Sequence, residues 1–397
     1  MDNALPPTES ILRLLTMLVR IPSRAGEDDL KPVLECVEHW FSNHSLTYQR
    51  IQSIDGAPMG LYAEVRGGRP MREGRPRRHF ILNATLDTAG FGDTASWTYP
   101  PTEATDVGGW MYGRGSGDSK AGAAIFAHLL AAFAARTEDY SGRLGLLFDL
   151  EEHTGTFAGA RRYFESDLTL RPDGVLIGYP GIDRIVVGSR GFLRARVTVH
   201  GVAAHSGGTT QRGLNAVFRA IKLVDALDAI VLPVASSGHF GRPPQLTVTS
   251  LHGGEGYSQV PDRCEFTVDI RLTPDFDADA ALRVIADVIA RHDDHYATAL
   301  STSVEWIPGW PAYQVVDGHP MIVALREAAS GVLGRELPCA VVGPSNIGNY
   351  LATRNIPALC GFGVRAQNLH AANEGIELAT VAPVYRIYGQ ALARLLD

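Results

Sequence analysis

The stretch Gly145-Leu146-Leu147-Phe148-Asp149-Leu150-Glu151-Glu152 decides how this chain is read. Apart from Asp149, Gly145–Leu150 is continuously apolar, the pattern of a strand buried on both faces in a parallel sheet. It runs directly into two carboxylates. Such a pair is costly beside a hydrophobic strand unless it is solvated, paired, protonated or bound to a metal. The C-terminal ends of parallel strands are also where open α/β sheets keep their sites. Adjacent residues point in different directions, so one carboxylate can hold a metal while the other faces its water. A solvated strand-to-loop junction is the plain alternative.

Working outward, Phe80–Asn83 is a second short apolar strand, running into Ala84-Thr85-Leu86-Asp87, and Val175–Ile177 is a third. Thr8–Val19 and Leu30–Asn43 read as helices, Gly60–Arg66 alternates like a strand, and Lys120–Thr137 is an alanine-rich helix. Between Gly90 and Gly117 lies a long polar stretch rich in Gly and Pro that carries Trp97, Tyr99, Trp110 and Tyr112; loops of that length are usually functional. Strand, helix, strand in this order predicts an α/β layer. The texture changes near Val186. Phe192–Val199, Pro244–Leu251, Cys264–Ile270 and His295–Val304 read as strands, and Gln211–Leu227 and Asp277–Arg291 as helices. That is the ferredoxin-like order, strand–helix–strand–strand–helix–strand. The sequence therefore predicts one α/β domain from residues 1–186 and 309–397, with an inserted α+β domain at 187–308. Pro308–Tyr313 reads as a stiff return linker, and helices at Pro320–Ser330 and Glu377–Leu396 rejoin the first domain.

With 397 residues, 45% of them apolar, the chain can build a sizeable core without staples. A net charge of −7 offers no lure for nucleic acid or an anionic membrane. The basic run Arg69–Arg78 is Gly/Pro-rich and reads as a solvated loop. The longest apolar run, Ala121–Ala135, is too short to span a bilayer. The four cysteines, Cys36, Cys264, Cys339 and Cys360, are widely spaced and form no CxxC unit, so neither a disulfide framework nor a zinc knuckle is expected. No signal peptide is apparent and the cytoplasm is the default location.

Four segments carry chemistry. Asp118, in Gly113-Arg114-Gly115-Ser116-Gly117-Asp118-Ser119-Lys120, sits where glycines let the backbone approach a ligand closely, or where an Asp simply caps a helix. Glu151 and Glu152 follow the buried strand. His370, in Asn-Leu-His-Ala-Ala-Asn-Glu after the apolar Ala358–Phe362, reads as a ligand or as a hydrogen-bonded structural residue. His205, in Gly-Val-Ala-Ala-His-Ser-Gly-Gly of the inserted domain, could deliver a proton or steady an oxyanion from a lid, or be a solvated loop residue. His292 and His295 have metal-pair spacing but lie in a polar run and read as surface.

These blocks, together with Gly213-Leu214-Asn215-Ala216, Val260-Pro261, Asp269-Ile270-Arg271 and Glu374, resemble the M20 family of metallopeptidases and amidohydrolases over nearly the whole chain. The resemblance implies a zinc-exopeptidase-like catalytic domain and a ferredoxin-like lid that often forms a homodimer. It implies Asp118 as a bridging carboxylate between two zinc ions, Glu151 as general base, and Glu152 and His370 as further ligands of the second metal. It also implies His205 reaching a substrate carbonyl, with Asn215 and Arg271 on the substrate wall.

Two positions depart from the family. The Gly-His-x-Asp motif reads Ala84-Thr85-Leu86-Asp87, so Thr85 stands in the place of a metal-binding imidazole while Asp87, behind the ligands, is kept. The acidic residue expected before Pro180 is Tyr179, which is then free to serve as a donor to substrate. Both losses fall on the same metal, and neither hydroxyl suits zinc. The reading that follows is an atypical amidohydrolase of N-acyl amino acids or small peptide-like amides. It would use one Zn2+, or another divalent metal, held by Asp118, Glu152 and His370. A scaffold diverted to acyl transfer, amide formation or a lyase step, and a non-catalytic binding homologue, are the alternatives.

Overall fold

The computed structural model describes residues 7–71, 77–166, 171–209, 212–233, 238–296 and 300–397. Parts of three sequence expectations lie outside them: residues 72–76 of the basic run, the start of the helix at Gln211, and residues 297–299 of the strand expected at His295–Val304. The chain divides into two units. The first comprises Met1–Gly188, Gln314–Ala340 and Asn346–Asp397, and the second Ser189–Tyr313 with Val341–Ser345.

The first unit is built on a six-stranded sheet. In spatial order its strands are Tyr48–Gln52, Pro58–Arg66, Arg143–Asp149, His79–Thr85, Gly174–Ile177 and Ala358–Leu359. The four strands beginning with Arg143–Asp149 run parallel, Pro58–Arg66 runs antiparallel to them, and the edge strand Tyr48–Gln52, antiparallel to Pro58–Arg66, runs in the same direction as the four. Every residue of His79–Thr85 is buried, as is all of Arg143–Asp149 save its first. These strands are apolar because both faces are covered. Register places Thr85 beside Asp149 and Ile177 beside Asn83. The loops after three neighbouring strands therefore open at one end of the sheet. Asp149, the polar interruption in the apolar run, is wholly buried and accepts from Asn83 Nδ2 at 2.7 Å. Burial and the nearby Asp87 charge push its carboxyl well above the ordinary range.

The long Gly90–Gly117 stretch is more ordered than its composition predicts. Thr105–Val107 and Trp110–Tyr112 pair as a hairpin, Trp110–Tyr112 pairs with Gly375–Glu377, and that strand pairs with Ala366–Gln367. This small sheet fixes the loop before Asp118 against the loop carrying His370. Tyr99 stacks on Tyr112 at 4.3 Å, and the Trp97 indole donates to the Phe91 carbonyl, so its aromatics pack internally.

In the second unit a four-stranded antiparallel sheet has the order Gln245–Gly253, Arg263–Leu272, Gly191–His200, Ser303–Trp310. Helices Ala216–Asp228 and Ala278–Asp294 connect it, which is the ferredoxin-like arrangement. Inward residues Val197, Val199, Phe266, Val268 and Ile270 are buried with Leu223 and Ile285. The expected return linker is partly strand: Ser303–Trp310 continues through Pro308, with a register shift between Ile307 and Trp310. It is an edge strand, where proline is tolerated at a bulge because no ladder donor is lost. Asn215 caps the first helix, accepting from Val217 N and Phe218 N at 2.9 and 3.1 Å, which is why that helix begins at Ala216.

None of the four cysteines forms a disulfide, and no helix among the described residues is long and apolar enough to cross a membrane. His128, buried on the helix Ala121–Ala134, donates from Nδ1 to the Ala124 carbonyl at 2.8 Å, and its Nε2 lies 2.9 Å from Ser10 Oγ. Burial pushes its pKa down to about 4, against about 6.5 in an unfolded chain. A depressed folded-state pKa means that this stability is fully present above about pH 6.5 and lost as pH falls toward 4. The difference is on the order of 3 kcal/mol. Denaturant titrations between pH 7 and pH 4.5 should show that part of the loss disappearing in His128→Gln.

Candidate metal centre

Three strand ends, one glycine-rich turn and the hairpin tip carrying His370 supply the centre. The loop after His79–Thr85 brings Asp87, the loop after Arg143–Asp149 brings Glu151, Glu152 and His153, and Tyr179 follows Gly174–Ile177. Asp118 arrives on the glycine-rich turn before the helix Ala121–Ala134. That turn runs Ser116–Lys120 and contains a cis peptide between Asp118 and Ser119. Asp118 is not the cap of the helix, since Lys120 occupies the N-cap position.

The turn is held from beneath. Glu374 Oε1 accepts from Gly117 N at 3.1 Å and Asp118 N at 3.2 Å, and Oε2 accepts from Arg114 Nη1 at 2.6 Å. Arg114 and Glu374 are almost wholly buried. Burial and the Asp118 charge raise the Glu374 pKa, opposed by Arg114 and the backbone donors, which favour the ionised form. Gly117 has no room for a side chain, because a Cβ there would lie 2.7 Å from Leu369 Cδ2 and 2.9 Å from the Ala366 Cβ. That contact seats the His370 loop directly on the Asp118 turn.

Asp118, His153 and His370 converge, with one potential ligand atom from each lying within 4.8 Å of the others. His370 Nε2 is 3.0 Å from Asp118 Oδ2, and His153 Nε2 is 3.8 Å from the same oxygen. Burial favours a neutral Asp118, yet the two imidazoles outweigh it and hold its carboxyl well below the ordinary range. His153 Nδ1 lies 3.1 Å from Asp87 Oδ2. Burial would lower the His153 pKa, but Asp118 and Asp87 hold it well above the ordinary value. The residues fit a divalent cation on a specific ground. Asp118 Oδ1 and His153 Nε2 are buried ligand atoms with no hydrogen-bond partner, a costly state that an ion relieves. One carboxylate and two imidazoles form a chemically ordinary set for such an ion. Among the described residues this is the one such cluster.

His153 is the residue that sequence reasoning missed. Its signal was an imidazole directly after the carboxylate pair, in Glu151-Glu152-His153. Glu152, read from the sequence as the third ligand, has one oxygen taken instead: Oε1 accepts from the Tyr179 hydroxyl at 2.7 Å, and Oε2 is 3.4 Å from His153 Nδ1. Burial pushes the Glu152 pKa up to about 7, with the Asp118 charge acting in the same direction against His153. Tyr179 is itself raised well above its ordinary value, by burial and then by the Glu152 charge. Thr85 donates to Asp87 Oδ1 at 2.6 Å, so its hydroxyl proton is committed to that carboxylate.

Glu151 is half-buried beside this group, with its pKa raised by burial and by Asp87. Both Glu151 (φ 67°) and His370 (φ 60°) hold left-handed backbone. Non-glycine residues in that region are costly, and such strain collects at functional sites. His205, Asn215 and Arg271 belong to the second unit. There His205 Nδ1 accepts from Gly207 N at 3.1 Å, the Asn215 oxygen is committed to capping, and Arg271 pairs with Asp269 at 2.7 Å. Of the two histidines with metal-pair spacing, His292 is buried against the Tyr296 ring and His295 Nδ1 faces the Arg291 carbonyl.

The sequence profile described as peptidase family M20/M25/M40 matches residues 81–394, and the chain belongs to that family. It is 27% identical over 334 residues to a succinyl-diaminopimelate desuccinylase of Alkalilimnicola ehrlichii, covering 82% of this chain and 86% of that protein. Its fold is that of an M20 family metallo-carboxypeptidase from Sulfolobus solfataricus, with a TM-score of 0.79 at 16% identity, 97% of this chain and 99% of that one. A tripeptidase from Staphylococcus aureus gives the same TM-score at 17% identity, covering 99% and 100% of the two chains. Family and centre together define a metal-dependent hydrolase of amide or peptide bonds, built as an α/β catalytic domain with an inserted lid-like subdomain.

The support beneath Asp118 yields a direct test. Glu374→Ala leaves Arg114 buried without its partner and frees the Asp118 turn. Urea unfolding should show a loss of about 3–5 kcal/mol, with a smaller loss for Glu374→Gln, which keeps an acceptor for the turn.

Proposed function

We propose that this protein is a single-metal amidohydrolase acting on an N-acyl amino acid or a small peptide-like amide. The observation that carries the reading is the convergence of Asp118, His153 and His370 on one point, while Thr85 and Tyr179 commit their hydroxyls to Asp87 and Glu152. A divalent ion, zinc by donor preference, would supply Lewis acidity at that point. Glu151, immediately before the buried Glu152–His153 pair, takes the proton from the attacking water and returns it to the leaving nitrogen. The Tyr179 hydroxyl donates toward the reacting carbonyl when it is released from Glu152, supplying electrostatic stabilisation where the family would place a second ion.

A substrate bearing a free carboxylate suits Arg271. Arg190 and Arg242 of the same unit lie close enough to Arg271 to add positive charge, with Asp269 paired to Arg271 as the opposing carboxylate that a substrate carboxylate would have to replace. The similarity to desuccinylases points the same way. A homodimer through the inserted unit is supported by Phe218 and Ile221, exposed apolar residues on the helix Ala216–Asp228, and by the edge strand Gln245–Gly253 with its exposed Leu251.

The purified protein should carry about one divalent ion per chain, measured by elemental analysis after dialysis against zinc. It should hydrolyse some members of a panel of N-acyl amino acids and dipeptides. Glu151→Gln should reduce kcat by at least about a hundredfold with the metal content unchanged. Protein without metal contradicts the reading. Full metal with no hydrolysis across the panel favours a diverted or non-catalytic scaffold.

A further inference from the structure

The family-like motif at the end of the strand His79–Thr85 retains its carboxylate, Asp87, but has no imidazole at position 85. A buried carboxylate whose usual partner is gone should be a liability, and here it is not. Asp87 is fully buried and each of its oxygens is occupied. Oδ1 accepts from Thr85 Oγ1 at 2.6 Å and from Glu152 N at 3.2 Å. Oδ2 accepts from His153 N at 3.0 Å and lies 3.1 Å from His153 Nδ1.

That last contact determines the ring's chemistry. An ionised carboxylate only accepts, so the proton between them belongs to Nδ1. The lone pair of the neutral ring is then on Nε2, which faces Asp118 and has no other partner. Sheet register explains how this ring reaches the spot. Thr85 and Asp149 are directly paired on adjacent parallel strands. The loop after Asp149 therefore leaves the sheet beside the loop after Thr85. His153, four residues past Asp149, comes back over Asp87.

We propose, building on the single-metal reading, that His153 supplies the imidazole that position 85 lacks, with Asp87 as the positioning residue that fixes its tautomer and orientation. Thr85 is then a filler suited to its role. Its hydroxyl occupies the Asp87 oxygen turned away from His153, and its small side chain leaves the space above Asp87 to the incoming ring. The ion's protein ligands are Asp118, His153 and His370. Glu152 stays bonded to Tyr179 at the rim of the set.

The test uses the full chain loaded with cobalt or zinc. X-ray absorption should count two imidazoles on the ion in the natural protein and one in His153→Gln, with at least about tenfold weaker metal binding in the variant. In the cobalt protein, the buried Nδ1–H on Asp87 should give a slowly exchanging, paramagnetically shifted NMR signal. That signal should vanish in His153→Gln and move in Asp87→Asn, which should also bind metal about 10–100-fold more weakly. The imidazole count and the signal in the natural protein need no variant, so a variant that folds poorly does not blunt the test. One imidazole, no such signal and unchanged affinity in His153→Gln would overturn the assignment while leaving the single-metal reading intact. A natural protein that binds no ion would overturn both.

Discussion

The structure depends on the need to neutralise carboxylates gathered at one end of a buried sheet. Asp87, Asp149, Glu152 and Glu374 are buried, and Asp118 is largely so. Left ionised and alone, each would cost several kcal/mol. The chain meets each charge differently. Asp149 is pushed toward its neutral form and bonded to Asn83. Glu374 has Arg114 and two backbone donors. Asp87 has Thr85 and His153. Asp118 faces two imidazoles and keeps an oxygen unpartnered. Asp149 Oδ2 is likewise unpartnered, but the Asp118 carboxylate lies beside two imidazoles, and that is the arrangement that suits a cation.

Supporting architecture serves this arrangement. The small sheet formed by Thr105–Val107, Trp110–Tyr112, Ala366–Gln367 and Gly375–Glu377 draws together segments separated by some 250 residues of chain. It sets the hairpin tip carrying His370 on the turn carrying Asp118, with Gly117 allowing the contact. Lys120, buried one residue past the cis peptide bond, donates to the carbonyls of Leu18 and Ile21 at 2.8 and 3.0 Å. It ties the same turn to the end of the first helix. Burial brings its pKa down to about 7, against the nearby charges of Glu374 and Asp87, which favour the cation.

Much of this was legible in the sequence, and the gaps have physical causes. The buried strands at Phe80 and Gly145 are visible because a strand covered on both faces is apolar throughout. The ferredoxin-like order is visible because alternation marks each half-exposed strand. Asp118, His370 and Asp87 stand out because each sits in a glycine-rich or strand-end context that few structural roles require. The short strands at Thr105 and Trp110 were hidden because two or three paired residues leave no periodicity. Asn215 read as a substrate contact, but its position just before the apolar helix is equally that of a cap, and the helix claims its oxygen. His153 was hidden for a subtler reason. Position in a motif suggests which residue is a ligand, whereas three-dimensional proximity decides it, and a loop after one strand can deliver its side chain to the space above the next.

The most direct measurement is anomalous diffraction at the zinc absorption edge from crystals of the full chain grown with zinc. The account predicts one strong peak in the first unit, bounded by a carboxylate oxygen of Asp118 and the Nε2 atoms of His153 and His370, with Glu152 still bonded to Tyr179. Two peaks separated by the few ångströms of a paired centre would contradict it. So would a single peak seated on Glu152 with the His153 ring turned away.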